Sequence, residues 1–180
     1  SVNEKYCKYV CKIKCILLLC VALNSVVVFA ESGHSTTKQS DDKQSGWDAY
    51  SKLQTGNVRF FEGVSKHLKL NPSYRESLAD GQKPHSIIIS CSDSRVPPEA
   101  VFDQGLGEIF VIRLAGHVLN SDAIASAEYA VEHLGPKFLL VMGHESCGAI
   151  KAAIATKPGT SAGSSNLDEL IAKIRPNIAS

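Results

Sequence analysis

Three short apolar runs without polar alternation constrain the fold of this chain more than any other feature. They cover 86–90, 108–114 and 138–142, and are made mainly of isoleucine, valine, leucine and phenylalanine. Strands that are buried on both faces of a parallel sheet have this pattern. Between the second and third runs, apolar residues at helical spacing over 121–134 predict a helix, which ends at the following Gly-Pro. The order strand, helix, strand predicts an α/β domain with a mostly parallel sheet flanked by helices.

Helical signals also lie on both sides of these runs. An Asn-Pro pair at 71–72 predicts the N-cap and first residue of a short helix that closes at Gly81. Asn166, with Glu169 three residues later, resembles a capping box and predicts a last helix over 167–175. An earlier segment has apolar residues at intervals of three to five, which predicts a loose helical face made of Trp47, Tyr50, Leu53, Val58 and Phe61.

The first 46 residues are predicted to lie outside the folded domain. Lysines precede an apolar stretch over 16–30 and a polar run follows it, which is the layout of a secretory signal peptide cleaved after Ala30. The stretch is interrupted by polar residues and is shorter than the roughly 20 residues that span a bilayer, so a stable membrane anchor is not favoured. Residues 31–46 contain no large apolar side chain and predict a flexible linker before a domain over 47–180. We therefore expect a protein exported to the periplasm or secreted.

Composition and charge favour a small substrate. The chain has 19 basic and 18 acidic residues and a formal net charge of +1, so nothing in its charge points to a nucleic acid partner. Its hydrophobic content of 44% is sufficient for the core of one domain.

Only two cysteines lie beyond the first 20 residues, and each follows a predicted strand. Cys91 comes directly after the first run, and the sequence His144-Glu-Ser-Cys147 follows the third. Because the carboxyl ends of parallel strands meet at one edge of a sheet, these side chains can converge. Two thiolates and one imidazole form a three-ligand zinc set with the fourth position open, as in catalytic sites. Two other interpretations stay open: buried cysteines with a purely structural histidine, or a disulfide between Cys91 and Cys147.

The residues around these cysteines resemble the two signature motifs of the β-class carbonic anhydrases. The motifs are Cys-Ser-Asp-Ser-Arg-Val-Pro-Pro-Glu at 91–99 and Gly-His-Glu-Ser-Cys-Gly-Ala at 143–149, and the likeness extends over about 47–180. The resemblance implies the fold of that family and reversible hydration of CO₂ to bicarbonate and a proton by a zinc-bound hydroxide. It also implies one zinc ion per chain, held by Cys91, His144 and Cys147.

The resemblance further implies roles for residues near the metal. Asp93 and Arg95 match a catalytic dyad beside the metal-bound water, with Asp93 becoming a metal ligand only in a closed state. Some family members close in this way with the help of a tryptophan, and here Ile88 takes its position, so we expect the open form. Gln82 and Gly148 match substrate-binding positions. Gln82 acts across a dimer interface in the family, so a homodimer or a higher even oligomer is expected.

Two features depart from the family pattern. The family often has asparagine after the arginine of the second strand and again three residues later, where this chain has Leu114 and His117. His117 can carry protons near neutral pH, but a surface position without a function is the favoured interpretation. Family members also continue with a further strand and helices, so we expect that the C-terminal part of the domain is missing.

Two rival functions remain at this point. A carbon disulfide or carbonyl sulfide hydrolase would use the same fold and metal. A non-catalytic exported domain would instead contain the Cys91–Cys147 disulfide.

Overall fold

Strands and helices alternate along the chain, as the sequence predicts. The computed structural model describes residues 36–66 and 70–178, with side chains from residue 45 onwards, so the predicted signal peptide over 1–30 lies outside the described residues. In the described part, the elements in chain order are α1 (Thr36–Glu62), α2 (Pro72–Glu76), β1 (Ser86–Cys91), α3 (Pro98–Val101), β2 (Ile109–Leu114), α4 (Ser121–Tyr129), β3 (Phe138–Met142), α5 (Gly148–Ala155) and α6 (Ser165–Ile174).

The three strands form a parallel sheet in the order β2-β1-β3. In the register, Cys91 lies opposite Leu114 of β2, and Ser90 lies opposite Met142 of β3. Every residue of the central strand β1 is buried, which explains the three consecutive isoleucines at its centre. The parallel α/β prediction is confirmed, and the register brings all three strand ends to one edge of the sheet.

Helices cover both faces of the sheet. One face packs against α1 and α3 through a core of buried residues: Ala49, Leu53, Ile88, Val101, Phe102, Ile109, Phe138 and Met142. The other face packs against α4 and the turn after it, with a core formed by Ile87, Ile89, Ile112, Ala123 and Ala130. The alternation of side chains along β1 divides its isoleucines between the two cores. A third cluster joins the end of the chain to α5 and contains Val118, Ala153, Ile171 and Ile174.

Helix α1 begins earlier than the sequence predicts. It starts at Thr36 and runs for 27 residues, so residues 36–46 are helical, unlike the flexible linker predicted for 31–46. Once a helix is anchored by tertiary contacts, each added residue gains one backbone hydrogen bond, so a polar segment can extend it. Within 36–66 and 70–178, no helix is both long enough and apolar enough to cross a bilayer.

The buried face of α1 agrees only in part with the predicted one: Leu53 is buried and Tyr50 packs against the core, as predicted. Ala49, Leu53 and Gly56 face the core, whereas Trp47 and Phe61 are about half exposed. A Cβ atom at Gly56 would lie 1.7 Å from the carbonyl oxygen of Phe102, so only glycine allows this close approach to the segment after α3. Sequence periodicity predicts a buried face of large side chains, but beside Leu53 the helix packs through the small residues Ala49 and Gly56.

The predicted helix starts are partly correct. Asn71 caps α2 by accepting a hydrogen bond from the main-chain N–H of Tyr74, as expected. The cap of α6 is Ser164, whose Oγ accepts from Leu167 N at 3.3 Å, so the capping box predicted at Asn166 is wrong. Ser164, two residues earlier, caps the helix in place of Asn166, because serine and asparagine are equally good N-cap residues.

Candidate metal centre

The candidate site lies at the edge of the sheet where the parallel strands end. Cys91 is the last residue of β1, and His144 follows β3 by two residues. Cys147 is the N-cap residue of α5. Between the last two, Ser146 has a left-handed φ of 57°, which reverses the chain and brings both side chains to the same side.

The three side chains converge as the sequence predicts. The candidate ligand atoms of Cys91, His144 and Cys147 all lie within 4.8 Å of one another. The two Sγ atoms are 3.9 Å apart. Two thiolates bound to zinc at about 2.3 Å with a tetrahedral angle would be separated by about 3.8 Å, so the spacing of the sulfurs suits this metal.

The disulfide alternative does not agree with this geometry. Cys91 and Cys147 are both free and buried. Bonded sulfurs lie about 2.05 Å apart, roughly half the separation found here. The rival that depends on a Cys91–Cys147 disulfide is therefore not supported.

The hydrogen bonding of His144 leaves one ring nitrogen for a metal. Its Nδ1 lies 3.0 Å from the carbonyl oxygen of Glu145, and because a carbonyl only accepts, Nδ1 carries the proton. Nε2 is then the atom with a free lone pair. It is buried and hydrogen-bonds to no residue in the described part of the chain. A buried polar atom without a partner is costly, and a zinc ion would satisfy it.

The surroundings of Cys147 also favour a bound cation. Burial raises the pKa of the Cys147 thiol, and the neighbouring Cys91 acts in the same direction. Main-chain N–H groups of Ile150 and Ala149, at the start of α5, act in the opposite direction. The Cys147 thiol therefore resists ionisation until a positive charge lies beside it, and a bound metal supplies that charge.

Asp93 and Arg95 form a two-point ion pair beside this cluster. Arg95 donates from Nε to Asp93 Oδ1 at 2.8 Å and from Nη2 to Oδ2 at 2.7 Å, and its main-chain N–H donates to Oδ1 at 3.0 Å. These bonds hold the pKa of the Asp93 carboxyl well below its usual range. Oδ2 also lies 3.7 Å from His144 Nε2, so an ionised carboxylate borders the metal position.

Sequence reasoning missed two further contacts to the β1 end of the site. Arg113 donates from Nε to the carbonyl of Cys91 at 2.9 Å and from Nη2 to that of Asp93 at 2.7 Å. The main-chain N–H of Gly116 donates to Cys91 Sγ at 3.3 Å. Backbone partners have no sequence signature. Only the position of Arg113 directly opposite Ser90 in the sheet indicates that its side chain can reach the loop.

His117 does not take the surface position favoured from the sequence. Its side chain is half-buried, with Nδ1 enclosed, and its Cε1 atom lies 3.6 Å from where a Cβ of Gly143 would be. Burial lowers the pKa of His117, and His144 acts in the same direction. The imidazole is therefore kept neutral close to the metal cluster.

The remaining predicted residues lie apart from the cluster or at its border. Gln82 is exposed and lies four residues before β1, which begins at the opposite edge of the sheet from the metal ligands. Gly148 is the exposed first residue of α5, next to Cys147.

Ile88 is fully buried in the core. Asp93 is bonded to Arg95, which is the arrangement expected of the open form. The substrate roles of Gln82 and Gly148, and the closed state, stay predictions.

Comparison with known proteins agrees with this site. The family described as Carbonic anhydrase matches residues 86–180. "Carbonic anhydrase 2" of Mycobacterium tuberculosis is 43% identical over 131 residues, covering 72% of this chain and 63% of that protein. The carbonic anhydrase of Mycolicibacterium smegmatis is 38% identical over 130 residues, with the same two coverages.

A solved structure agrees with the fold. The tetrameric β-carbonic anhydrases of Sordaria macrospora include a chain that superposes with a TM-score of 0.52 and 25% identity, covering 79% of this chain and 64% of that one. This chain thus spans less than two thirds of the length of these relatives. With the family match, the sequence relatives and the Cys-His-Cys cluster together, the chain belongs to the β-class carbonic anhydrases.

Proposed function

We propose that this chain catalyses the reversible hydration of CO₂ to bicarbonate and a proton, with zinc held by Cys91, His144 and Cys147. The observation that carries the proposal is the cluster of these three ligand atoms, all within 4.8 Å of one another, beside an ionised Asp93. When bound, zinc supplies a Lewis acid that makes water a nucleophile near neutral pH. Family membership supports this reaction over sulfide release from carbonyl sulfide or carbon disulfide, which no feature of the site favours.

Asp93 orients the attacking water. An ionised carboxylate only accepts hydrogen bonds, so it fixes the O–H of that water and leaves the oxygen lone pair directed at the CO₂ carbon. Since the bonds from Arg95 hold the pKa of Asp93 well below its usual range, this carboxylate does not take up the proton at neutral pH. The proton released in each cycle therefore leaves through other groups or solvent.

Arg95 keeps Asp93 in this position and joins the two halves of the site. Besides its bonds to Asp93, its Nη2 donates to the carbonyl of Ser146 at 3.3 Å. One guanidinium thus connects the loop after β1 with the loop that carries Cys147. Its planar fork suits this task, because it can donate to a carboxylate and a carbonyl at the same time.

The complete enzyme is an oligomer in this proposal. Gln82 precedes β1, whose first residue lies at the opposite edge of the sheet from Cys91, and this supports a role for Gln82 in the site of a partner subunit. The relatives from Sordaria macrospora are described as tetrameric, which supports a dimer or a higher even assembly here. We further propose export through the segment 1–30 to the periplasm or beyond, supported by its lysine-rich start and apolar centre.

Stopped-flow measurement of CO₂ hydration tests the proposed reaction. The zinc-loaded chain should accelerate hydration well above the spontaneous rate, and removal of zinc with a chelator should abolish the acceleration reversibly. Sulfide release from carbonyl sulfide, measured on the same preparation, should be far slower. Hydration at the spontaneous rate by a chain containing one zinc ion would refute the assignment.

A further inference from the structure

The turn after β2 directs a main-chain donor at one of the metal ligands. The N–H of Gly116 lies 3.3 Å from Cys91 Sγ, 25 residues away in the chain. Gly116 has a φ of 63°, and His117, directly after it, has a φ of 45°. Two successive left-handed residues are rare outside glycine, so this turn is held in place by its contacts.

The space around Gly116 is closed by the two helices that follow the site. A Cβ atom at this position would lie 3.2 Å from Ala149 Cβ, in the first turn of α5, and 2.9 Å from Ile174 Cδ1, at the end of α6. Gly116 is therefore the point where the end of β1, the helix carrying Cys147 and the last helix meet. Neither the left-handed φ nor the contact distances suit a residue with a side chain.

We propose that Gly116 is a positioning residue of the metal centre, acting through its N–H on the Cys91 thiolate. The N–H, 3.3 Å from Cys91 Sγ, holds this sulfur close to His144 and Cys147, in the position from which it would bind the metal. The donor is part of the backbone and is already fixed before the metal arrives, so no ordering of a flexible side chain opposes binding. The inference rests on the zinc site of the proposed function, but not on the identity of the substrate.

Zinc affinity of Gly116→Ala tests the proposal, with Gly135→Ala as the matched control. Gly135 also has a left-handed φ, of 73°, but a Cβ there would meet nothing within 4 Å, and the residue lies after α4, away from the metal. Both variants carry the same backbone strain. Alanine at 116 would also meet Ile174 and Ala149, so we expect its peptide to shift and its N–H to turn away from Cys91. Competition of full-length protein with a chromophoric chelator for zinc alone gives the affinities.

We expect Gly116→Ala to bind zinc about 10- to 100-fold more weakly than the unmodified chain, and Gly135→Ala to bind it with unchanged affinity. A second readout is the sulfur-to-metal charge-transfer band after cobalt substitution. The hydrogen bond stabilises the sulfur lone pair from which this transition starts, so its loss should move the band of Gly116→Ala to longer wavelength. The band of Gly135→Ala should not move.

A further pair of variants separates the effect of steric crowding at Ile174 on zinc affinity from the effect of losing the hydrogen bond. The double variant Gly116→Ala/Ile174→Ala lacks the 2.9 Å contact, and its zinc affinity is compared with that of Ile174→Ala alone. The same comparison applies if Gly116→Ala by itself does not fold. The double variant should still bind zinc at least about 10-fold more weakly than Ile174→Ala. Equal affinity of these two would overturn the proposal while leaving the proposed function intact. An unmodified chain that binds no zinc would overturn both.

Discussion

Two aspartate–arginine pairs in this molecule have the same chemistry and different consequences. Asp93 and Arg95 are two residues apart in one loop, and their side chains are 17% and 57% exposed. Asp103 and Arg59 are 44 residues apart, and their side chains are only 3% and 20% exposed. The first pair borders the metal centre. The second fastens α1 to the segment after α3, where Asp103 also accepts the main-chain N–H of Lys66.

The difference in exposure between the two pairs indicates that one orients a group of the candidate site and the other stabilises the fold. Water screens an exposed pair, so the bonds between Asp93 and Arg95 contribute little to folding and serve to orient one carboxylate. A buried pair cannot lose one partner without leaving an uncompensated charge, so Asp103 and Arg59 determine stability and take no part in the chemistry. The four predictions below are designed to break or sharpen this division, beginning with the largest effect.

Substitution Asp93→Asn should have the largest effect on activity. The amide can donate as well as accept, so it no longer fixes the orientation of the attacking water, and kcat/KM for CO₂ should fall by about 10²- to 10³-fold. The midpoint of urea unfolding should barely change, because the Arg95 side chain is largely exposed and water screens the pair. Stopped-flow hydration and urea titration of the same preparation measure both. A large loss of stability with activity retained would reverse the roles of the two pairs.

Substitution Asp103→Asn should have the opposite pattern. Removing the carboxylate leaves the Arg59 charge unpaired in a largely buried position, and the free energy of unfolding should fall by about 2 to 3 kcal/mol. Activity per folded molecule should stay unchanged, since neither residue contacts the metal cluster. Urea unfolding followed by circular dichroism gives the stability. A variant as stable as the unmodified chain would show that the pair does not hold α1.

Substitution Arg95→Gln should reduce activity by about tenfold at neutral pH, less than the loss of Asp93 itself. The carboxylate remains, but it is no longer held, and its pKa returns towards the usual value for aspartate. Activity should therefore begin to fall at a higher pH on the acidic side than in the unmodified chain. Arg95→Lys is the control, because it keeps the charge and loses the two-point contact, and should give an intermediate rate. A pH profile unchanged in Arg95→Gln would contradict the role assigned to the pair.

The smallest expected effect is on the pH dependence of stability. Burial raises the pKa of Asp103, but the hydrogen bonds from Arg59 and Lys66 outweigh it, so the net pKa is below the usual 3.8. A carboxyl with a depressed pKa stabilises the fold above its unfolded pKa, and this contribution is lost as the pH falls through the folded value. The stability difference between the unmodified chain and Asp103→Asn should therefore be constant above about pH 5 and shrink below about pH 4. A stability difference that grows as the pH falls would contradict a lowered pKa of Asp103 in the folded chain.

Much of the sheet and of the metal cluster could be predicted from sequence, because both follow from local patterns. The strand ending at Cys91 is buried throughout because β1 is covered on both faces. The two cysteine motifs lie at strand ends that parallel pairing must bring together. Long-range contacts left no such signal. The bond between Arg59 and Asp103 spans 44 residues.

The errors have a common physical origin. The start of α1 at Thr36 and its burial through Gly56 depend on tertiary packing, which overrides local polarity and side-chain size. The contact from Gly116 to Cys91 depends on a backbone conformation, and a single glycine in the sequence does not reveal where its N–H points. The burial of His117 has no sequence signal for the same reason, since it depends on neighbours that are distant in the chain.

X-ray absorption at the zinc edge tests the central claim most directly, because it counts the atoms bound to the metal. The unmodified chain should contain one zinc with two sulfur atoms at about 2.3 Å and one imidazole nitrogen at about 2.0 Å. Cys147→Ser should lose the metal, or retain it weakly with a single sulfur, and lose CO₂ hydration with it. Full zinc content and an unchanged sulfur shell in Cys147→Ser would contradict the account.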